Sequence, residues 1–209
     1  MPPGTLITIE GLDGAGKTTL AEALAREAAA SGAGGRDVVL LREPGGVQLS
    51  ERIRELVQSP ALTVGARAEA LLYAAARAQL VQERVLPLLD RGALVLLDRF
   101  VDSSLAYQGA GRELGVEQIR AINRFATAGL QPDRTLLLCI SPHAGRARQR
   151  RRGLNPDRLE LEGDEFFARI DATYRELARA EPRRIAPLDA EQPPEQVLRD
   201  ALAAIADLL

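Results

Sequence analysis

An α/β fold, with a five-stranded parallel sheet flanked by helices on both faces, is the architecture this sequence predicts. Three observations predict it. Five short apolar segments read as strands buried on both faces, long alanine-rich amphipathic segments separate them, and glycine or proline marks the joints. Strands are expected at residues 5–10, 38–42, 93–98, 134–140 and 184–188. The clearest helical patterns cover 66–89 and 165–179, and joints fall at 44–46, 129–132, 153–156 and 193–194. Neither a repeat nor a composition break is visible, so 1–209 is expected to form one domain.

Composition narrows the function class. A net charge of −2 leaves no overall excess of positive charge for a polyanion, so nucleic acid is not an expected partner and any phosphate affinity must be local. No apolar run is long enough for a bilayer and no secretory pattern opens the chain, which points to a cytoplasmic protein without a membrane partner. The single cysteine, Cys139, reads as a buried small hydrophobe within a strand. Lys17 is the only lysine among many arginines, which marks a place where a compact point charge is needed and a planar guanidinium will not serve.

After the first strand comes Gly11-Leu12-Asp13-Gly14-Ala15-Gly16-Lys17-Thr18, with Thr19 continuing into a helix. This is the Walker A pattern in its required context of strand, glycine loop and helix. Backbone N–H groups of such a loop turn inward around a β-phosphate, and the helix N-terminus adds its positive dipole end. Lys17 can reach the β- and γ-phosphates of ATP, and the Thr18 hydroxyl can ligate Mg²⁺. Either a phosphotransferase or a guanine-nucleotide switch would use this loop. A switch usually reads its base with Asn-Lys-x-Asp, which cannot occur here because the one lysine is already in the loop.

The second strand ends in Arg42-Glu43-Pro44-Gly45-Gly46, and Ser50 to Arg54 follow on a helix. Ligands of doubly wound sheets sit beyond the carboxyl ends of the strands, so Glu43, Pro44 and Arg54 are expected beside the phosphate loop, facing an acceptor. Tyr73 and Arg77 lie four residues apart on one face of the long helix. The pair suits a planar base, and equally a core tyrosine beside a solvated arginine. Four apolar residues followed by Asp98 give the Walker B layout, with Asp98 near the metal, and Arg99 can hold an acceptor phosphate in two places. Ser104, Tyr107 and Gln108 follow as candidate readers of base edges.

Beyond the fourth strand, 142–160 reads as an arginine-rich lid bounded by glycine. Arg148 and Arg152 share a helical face and are the favoured catalytic arginines, with Arg158 beside them. His143 is given no role, because a phosphate monoester is already ionised and needs no strong base. Phe166 and Phe167 read as core.

Together, Gly11 to Thr18, Arg42-Glu43-Pro44-Gly45-Gly46, Tyr73 with Ala75-Ala76-Arg77, Asp98-Arg99-Phe100, and Ser103-Ser104-Leu105-Ala106-Tyr107-Gln108-Gly109 resemble the bacterial thymidylate kinase family. The resemblance runs over essentially the whole chain. It implies the nucleoside monophosphate kinase type of P-loop fold and transfer of the γ-phosphoryl group of ATP to dTMP, with Mg²⁺, for dTTP synthesis. It also implies a homodimer formed through helices, for which 66–89 is the candidate. Asp13 would lie near the sugar 3′-hydroxyl and Arg99 at the acceptor phosphate. Tyr73 would stack on thymine where relatives use phenylalanine, and Arg77 and Gln108 would contact the base. Some relatives carry an arginine where this chain has Gly14, so the catalytic arginine is expected from the lid. Ala76 stands where many relatives have aspartate. The remaining alternatives are a kinase for another small acceptor and a non-catalytic nucleotide switch.

Overall fold

The computed structural model describes residues 4–151, 153 and 157–209. Five strands, β1 (Thr5–Gly11), β2 (Val38–Arg42), β3 (Leu94–Asp98), β4 (Arg134–Cys139) and β5 (Ile185–Asp189), form one parallel sheet in the order β2-β3-β1-β4-β5. All five expected strands are present to within one or two residues at each end. Successive residues of the central strands feed opposite faces. Ile7, Leu94 and Leu96 enter one apolar cluster, while Leu6, Val95 and Leu97 enter the other. Both faces are therefore covered, which is why these strands lack polar alternation.

The helices are α1 (Lys17–Ala30), α2 (Gln48–Gln58), α3 (Ala66–Leu80), α4 (Leu86–Asp90), α5 (Val101–Ser104), α6 (Val116–Ala126), α7 (Pro142–Arg151), α8 (Asp164–Ala180) and α9 (Pro194–Ala204). The single helix expected over 66–89 is helical throughout but changes hydrogen-bond register in a π-helical stretch, Val81–Val85, between α3 and α4. Pro87 in the first turn of α4 has no N–H to continue the regular ladder, which accounts for a shift there. A second π-helical stretch, Leu105–Gly111, extends α5. Phe166 and Phe167 are buried at the start of α8, as expected, whereas Cys139 is only half-buried because it lies at the outer end of β4. No described helix is long and apolar enough to cross a membrane.

Parallel register sets the location of the site. Ile9 lies opposite Asp98, and Asp98 lies opposite Arg42. The loops leaving β1, β3 and β2 thus emerge side by side at one edge of the sheet.

Candidate active site

The glycine loop turns sharply between β1 and α1, with Gly14 and Gly16 at φ 81° and 96°. Lys17 opens α1 and is buried; its Nζ donates to Leu12 O at 2.8 Å and lies 3.6 Å from Asp13 Oδ1. Burial and the nearby Arg99 charge pull the Lys17 pKa down to about 8, although Asp13 and Asp98 oppose the shift. Burial alone would raise Asp13, but Arg99 and Lys17 outweigh it and hold its pKa at about 2. Thr19, next on α1, is exposed, while Leu12 and Ala15 are buried beneath the loop.

Asp98 ends β3, and its Oδ2 accepts a hydrogen bond of 2.7 Å from Thr18 Oγ1. Two hard oxygen donors at this spacing fit Mg²⁺. Among the described residues there is no cluster of three or more His, Cys, Asp or Glu, so a cation here would rely on one carboxylate, one hydroxyl and the oxygens of its nucleotide.

Arg99 follows Asp98 with a left-handed backbone, φ 71°, a conformation that costs a non-glycine residue about 1–2 kcal/mol. The turn aims its guanidinium back at the glycine loop. There it pairs closely with Asp13, donates to Ser103 Oγ at 3.0 Å and stacks on the Tyr107 ring at 5.0 Å. Tyr107 also donates to Asp13 Oδ2 at 2.9 Å. The strain is offset from beneath. Glu10 of β1, fully buried, accepts from Phe100 N at 2.7 Å and from Ser103 N and Oγ, and receives the Tyr174 hydroxyl at 3.0 Å. A β1 carboxylate thereby caps the start of α5. Burial and the neighbouring Asp102 raise its pKa.

These groups face a cavity of about 300 Å³. Its floor is Asp13, Gly14, Gly16, Lys17 and Thr18. Asp98, Arg99, Ser104, Tyr107 and Gln108 form one wall, and Glu43, Pro44, Arg54, Tyr73 and Arg77 the other. Every acceptor-side residue expected from sequence therefore lines this one cavity. Arg54 donates to Pro44 O at 2.9 Å, which pins α2 to the turn containing the cis Glu43–Pro44 peptide.

Arg77 occupies this wall differently from a side chain held ready for a ligand. It is almost fully buried and gives its donors to Glu43 Oε2, Ser104 Oγ, Asn123 Oδ1 and Phe100 O. Burial raises the Glu43 pKa to about 7 in spite of Arg77, and Glu43 Oε1 is buried without a hydrogen-bond partner.

The described arginines of the expected lid are dispersed. Arg148 donates to Ala190 O at 2.9 Å and does not line the cavity, and Arg152 lies outside the described residues. Arg158 donates to Val57 O at 3.0 Å and to Glu69 at 2.6 Å, while Arg146 pairs with Asp164. Among the described residues of 142–160, Asp157, Leu159 and Glu160 reach the cavity. His143 is exposed on α7.

Sequence reading missed two buried carboxylates. Glu10 carried a signal, since a charge at the end of a strand otherwise buried on both faces needs a partner. Glu69 carried another: with Tyr73 and Arg77 it forms a stripe of spacing four on α3.

A glycine loop between strand and helix, an aspartate ending the neighbouring strand and a cavity beside both give the layout of a P-loop phosphotransferase. The family model described as Thymidylate kinase matches residues 9–201. Thymidylate kinases of Deinococcus radiodurans and Oenococcus oeni are 46% and 47% identical to this chain, over 99% and 100% of it and 98% of each relative. The crystal structure of thymidylate kinase from Ehrlichia chaffeensis superposes with a TM-score of 0.78 at 27% identity, covering 98% of this chain and 99% of that one. The chain belongs to the thymidylate kinase family.

Proposed function

We propose that this chain transfers the γ-phosphoryl group of ATP to dTMP, giving ADP and dTDP. The observation that carries the reading is the gathering of two sets of groups in one cavity: Lys17 with the Thr18–Asp98 pair, and Arg99 with Asp13. Phosphoryl transfer asks little covalent chemistry of a protein and is mostly positioning and neutralisation of charge.

In this reading the loop from Gly11 to Thr19 binds ATP, and Lys17 draws its β- and γ-phosphates into line. Thr18 and Asp98 would hold Mg²⁺, which supplies positive charge to the phosphate oxygens when bound. Arg99 releases Asp13 to grip the phosphate of dTMP, leaving Asp13 for the 3′-hydroxyl. Tyr73 gives a ring face to thymine, and Ser104, Tyr107 and Gln108 line the base and sugar. Glu43, Pro44 and Arg54 complete that wall, and Arg77 acts there by bracing Glu43 and Ser104. Arg148 would have to leave Ala190 O to reach the transferring group, and Arg152 is the other lid candidate.

The reading includes residues 1–209 as one domain, a cytoplasmic setting and a homodimer. Exposed Leu49 and Leu56 on α2, Leu71 on α3 and Phe125 on α6 support the dimer, because these helices pack together and their outer apolar side chains lack cover. Sedimentation should give twice the chain mass, and Leu71→Glu should shift it to the monomer.

The test of function is ADP release with ATP and Mg²⁺ against dTMP, dUMP, dCMP, dGMP, dAMP, shikimate and no acceptor. Fast release with dTMP alone supports the proposal. Preference for another acceptor overturns the base-reading residues, and release without acceptor overturns the kinase reading.

A further inference from the structure

Glu69 is fully buried on α3, and its carboxylate gathers donors from three directions. Gln108 Nε2 donates to Oε1 at 2.9 Å. Arg112 Nε lies 3.3 Å and 3.2 Å from the two oxygens, and Arg158 Nη2 donates to Oε2 at 2.6 Å. A carboxylate held by two guanidinium groups accepts and cannot donate. The amide of Gln108 can satisfy it in only one orientation, with the NH₂ toward Glu69 and the carbonyl oxygen turned the other way. Gln108 is itself almost fully buried and lines the acceptor cavity. The edge it offers to a base is then an acceptor.

We infer that Glu69 is a specificity-determining positioning residue: by holding the Gln108 NH₂, it presents Gln108 Oε1 to the cavity and selects bases that carry a ring N–H at the 3-position. The inference rests on the proposed function and deepens it. Thymine and uracil bring N3–H to that oxygen. Cytosine brings an N3 lone pair, which would face the carbonyl without a proton between them. A buried site that must hydrogen-bond its ligand rejects an analogue that leaves the site's own group unpaired far more strongly than a pocket rejects a change of shape. Glu69 touches no ligand in this account and acts through Gln108.

The same carboxylate links the base reader to the lid. Arg158 lies between Asp157 and Leu159, which line the cavity, and Arg112 also pairs with Glu162. An ion pair this buried is weak evidence for stability, so its interest here is the arrangement it holds. A neutral glutamine at 69 can both donate and accept, so it would let the Gln108 amide turn over.

The experiment compares wild type, Glu69→Gln and Arg112→Gln in steady-state kinetics with dTMP and 5-methyl-dCMP, which differ at N3 and the 4-substituent but share the methyl group. Glu69→Gln should raise the KM for dTMP and narrow the kcat/KM preference over 5-methyl-dCMP by about ten- to hundredfold, with the KM for ATP unchanged. Arg112→Gln removes another Glu69 partner and should lower the melting temperature with the preference intact. A Glu69→Gln enzyme that melts lower yet keeps the full preference would overturn the inference, as Glu69 would then be a brace and nothing more.

NMR of the wild-type protein supplies the test if Glu69→Gln does not fold. The Gln108 side-chain NH₂, assigned by its loss in Gln108→Ala, should be protected from solvent exchange in the free protein and little shifted by dTMP. Fast exchange, or a large shift on binding, would mean that the NH₂ faces the cavity, and the inference fails. Wild type that does not turn over dTMP defeats the proposed function separately, since the NMR result reads the amide orientation without it.

Discussion

Gly14 of the phosphate loop and Gly145 of α7 meet backbone to backbone: a Cβ on Gly14 would lie 2.2 Å from Gly145 O, and one on Gly145 would lie 2.8 Å from Asp13 O. The first turn of α7 is thus seated on the loop that is proposed to hold ATP. Gly14 also needs its positive φ, so two constraints act on that position, while Gly145 is constrained by contact alone. An arginine at 14 would require α7 to move away, which supports a catalytic arginine delivered from the lid.

Gly145→Ala should therefore act on lid seating. A single methyl forced against backbone costs about 1–3 kcal/mol. We expect a lower melting temperature and a raised KM for ATP, with the KM for dTMP less affected. Thermal unfolding and steady-state kinetics check this, and unchanged values of both would mean the two backbones separate freely.

Lys17 carries the pH prediction. Its pKa in the folded chain is about 8 against 10.5 for a free lysine, lowered by burial and by Arg99. Between these values the unfolded chain binds the extra proton and the folded chain does not. Burial of Lys17 therefore contributes stability above 10.5 that is lost as pH falls through 8. A polyphosphate beside Nζ restores the charged form, so ATP binding takes up a proton in that window. Affinity should fall about tenfold per pH unit above 8. Calorimetry in buffers of different ionisation enthalpy measures the uptake, and Lys17→Met should abolish it together with transfer, at little cost to the fold.

Arg99→Ala removes the proposed phosphate grip and should lower kcat/KM for dTMP by a hundredfold or more, roughly the loss of a charged, bidentate contact of 3 kcal/mol. ATP binding should change little. Arg99→Lys should not restore activity, because one ammonium cannot span two oxygens. Equal loss toward both substrates would reassign Arg99 to the loop it touches.

Glu43 predicts a pH effect of its own. Burial raises its pKa from 4.5 to about 7, so the folded chain binds the extra proton between these values. The stability that protonated Glu43 contributes is full below 4.5 and is lost as pH rises through 7. Glu43→Gln cannot ionise, so its stability relative to wild type should rise across that window, by about 3 kcal/mol at most. Denaturant unfolding at a series of pH values measures the difference, and parallel curves would show that Arg77 keeps Glu43 ionised throughout.

How much of this was legible in the sequence differs from residue to residue. Gly11 to Thr18 were readable because a phosphate loop is made by consecutive residues whose backbone does the binding. The strands were readable because burial on both faces leaves a run such as Leu94 to Leu97 without a polar alternate. The break at Val81–Val85 was not, since helical periodicity reports which face is apolar and not which hydrogen-bond partner each N–H takes.

Partners far apart in sequence were also out of reach. Tyr73 and Arg77 share a helix face, as their spacing requires, but only packing against Glu43, Phe100, Ser104 and Asn123 consumes the donors of Arg77. Gln108 was a visible candidate, yet which end of its amide looks outward depends on Glu69, 39 positions away. Arg148 lies on the lid helix as expected, and its bond to Ala190 O is decided by where α7 meets the loop after β5.

By itself the sequence determined the parallel α/β sheet, the phosphate loop and the family, because each rests on local order, spacing or composition. The tertiary structure alone decided which charged groups are already paired, which amide edge faces the cavity and where Arg148 and Arg158 rest. Hydrogen-bond donors and acceptors are few and directional, and a group spent on one neighbour in the folded chain is no longer open to another.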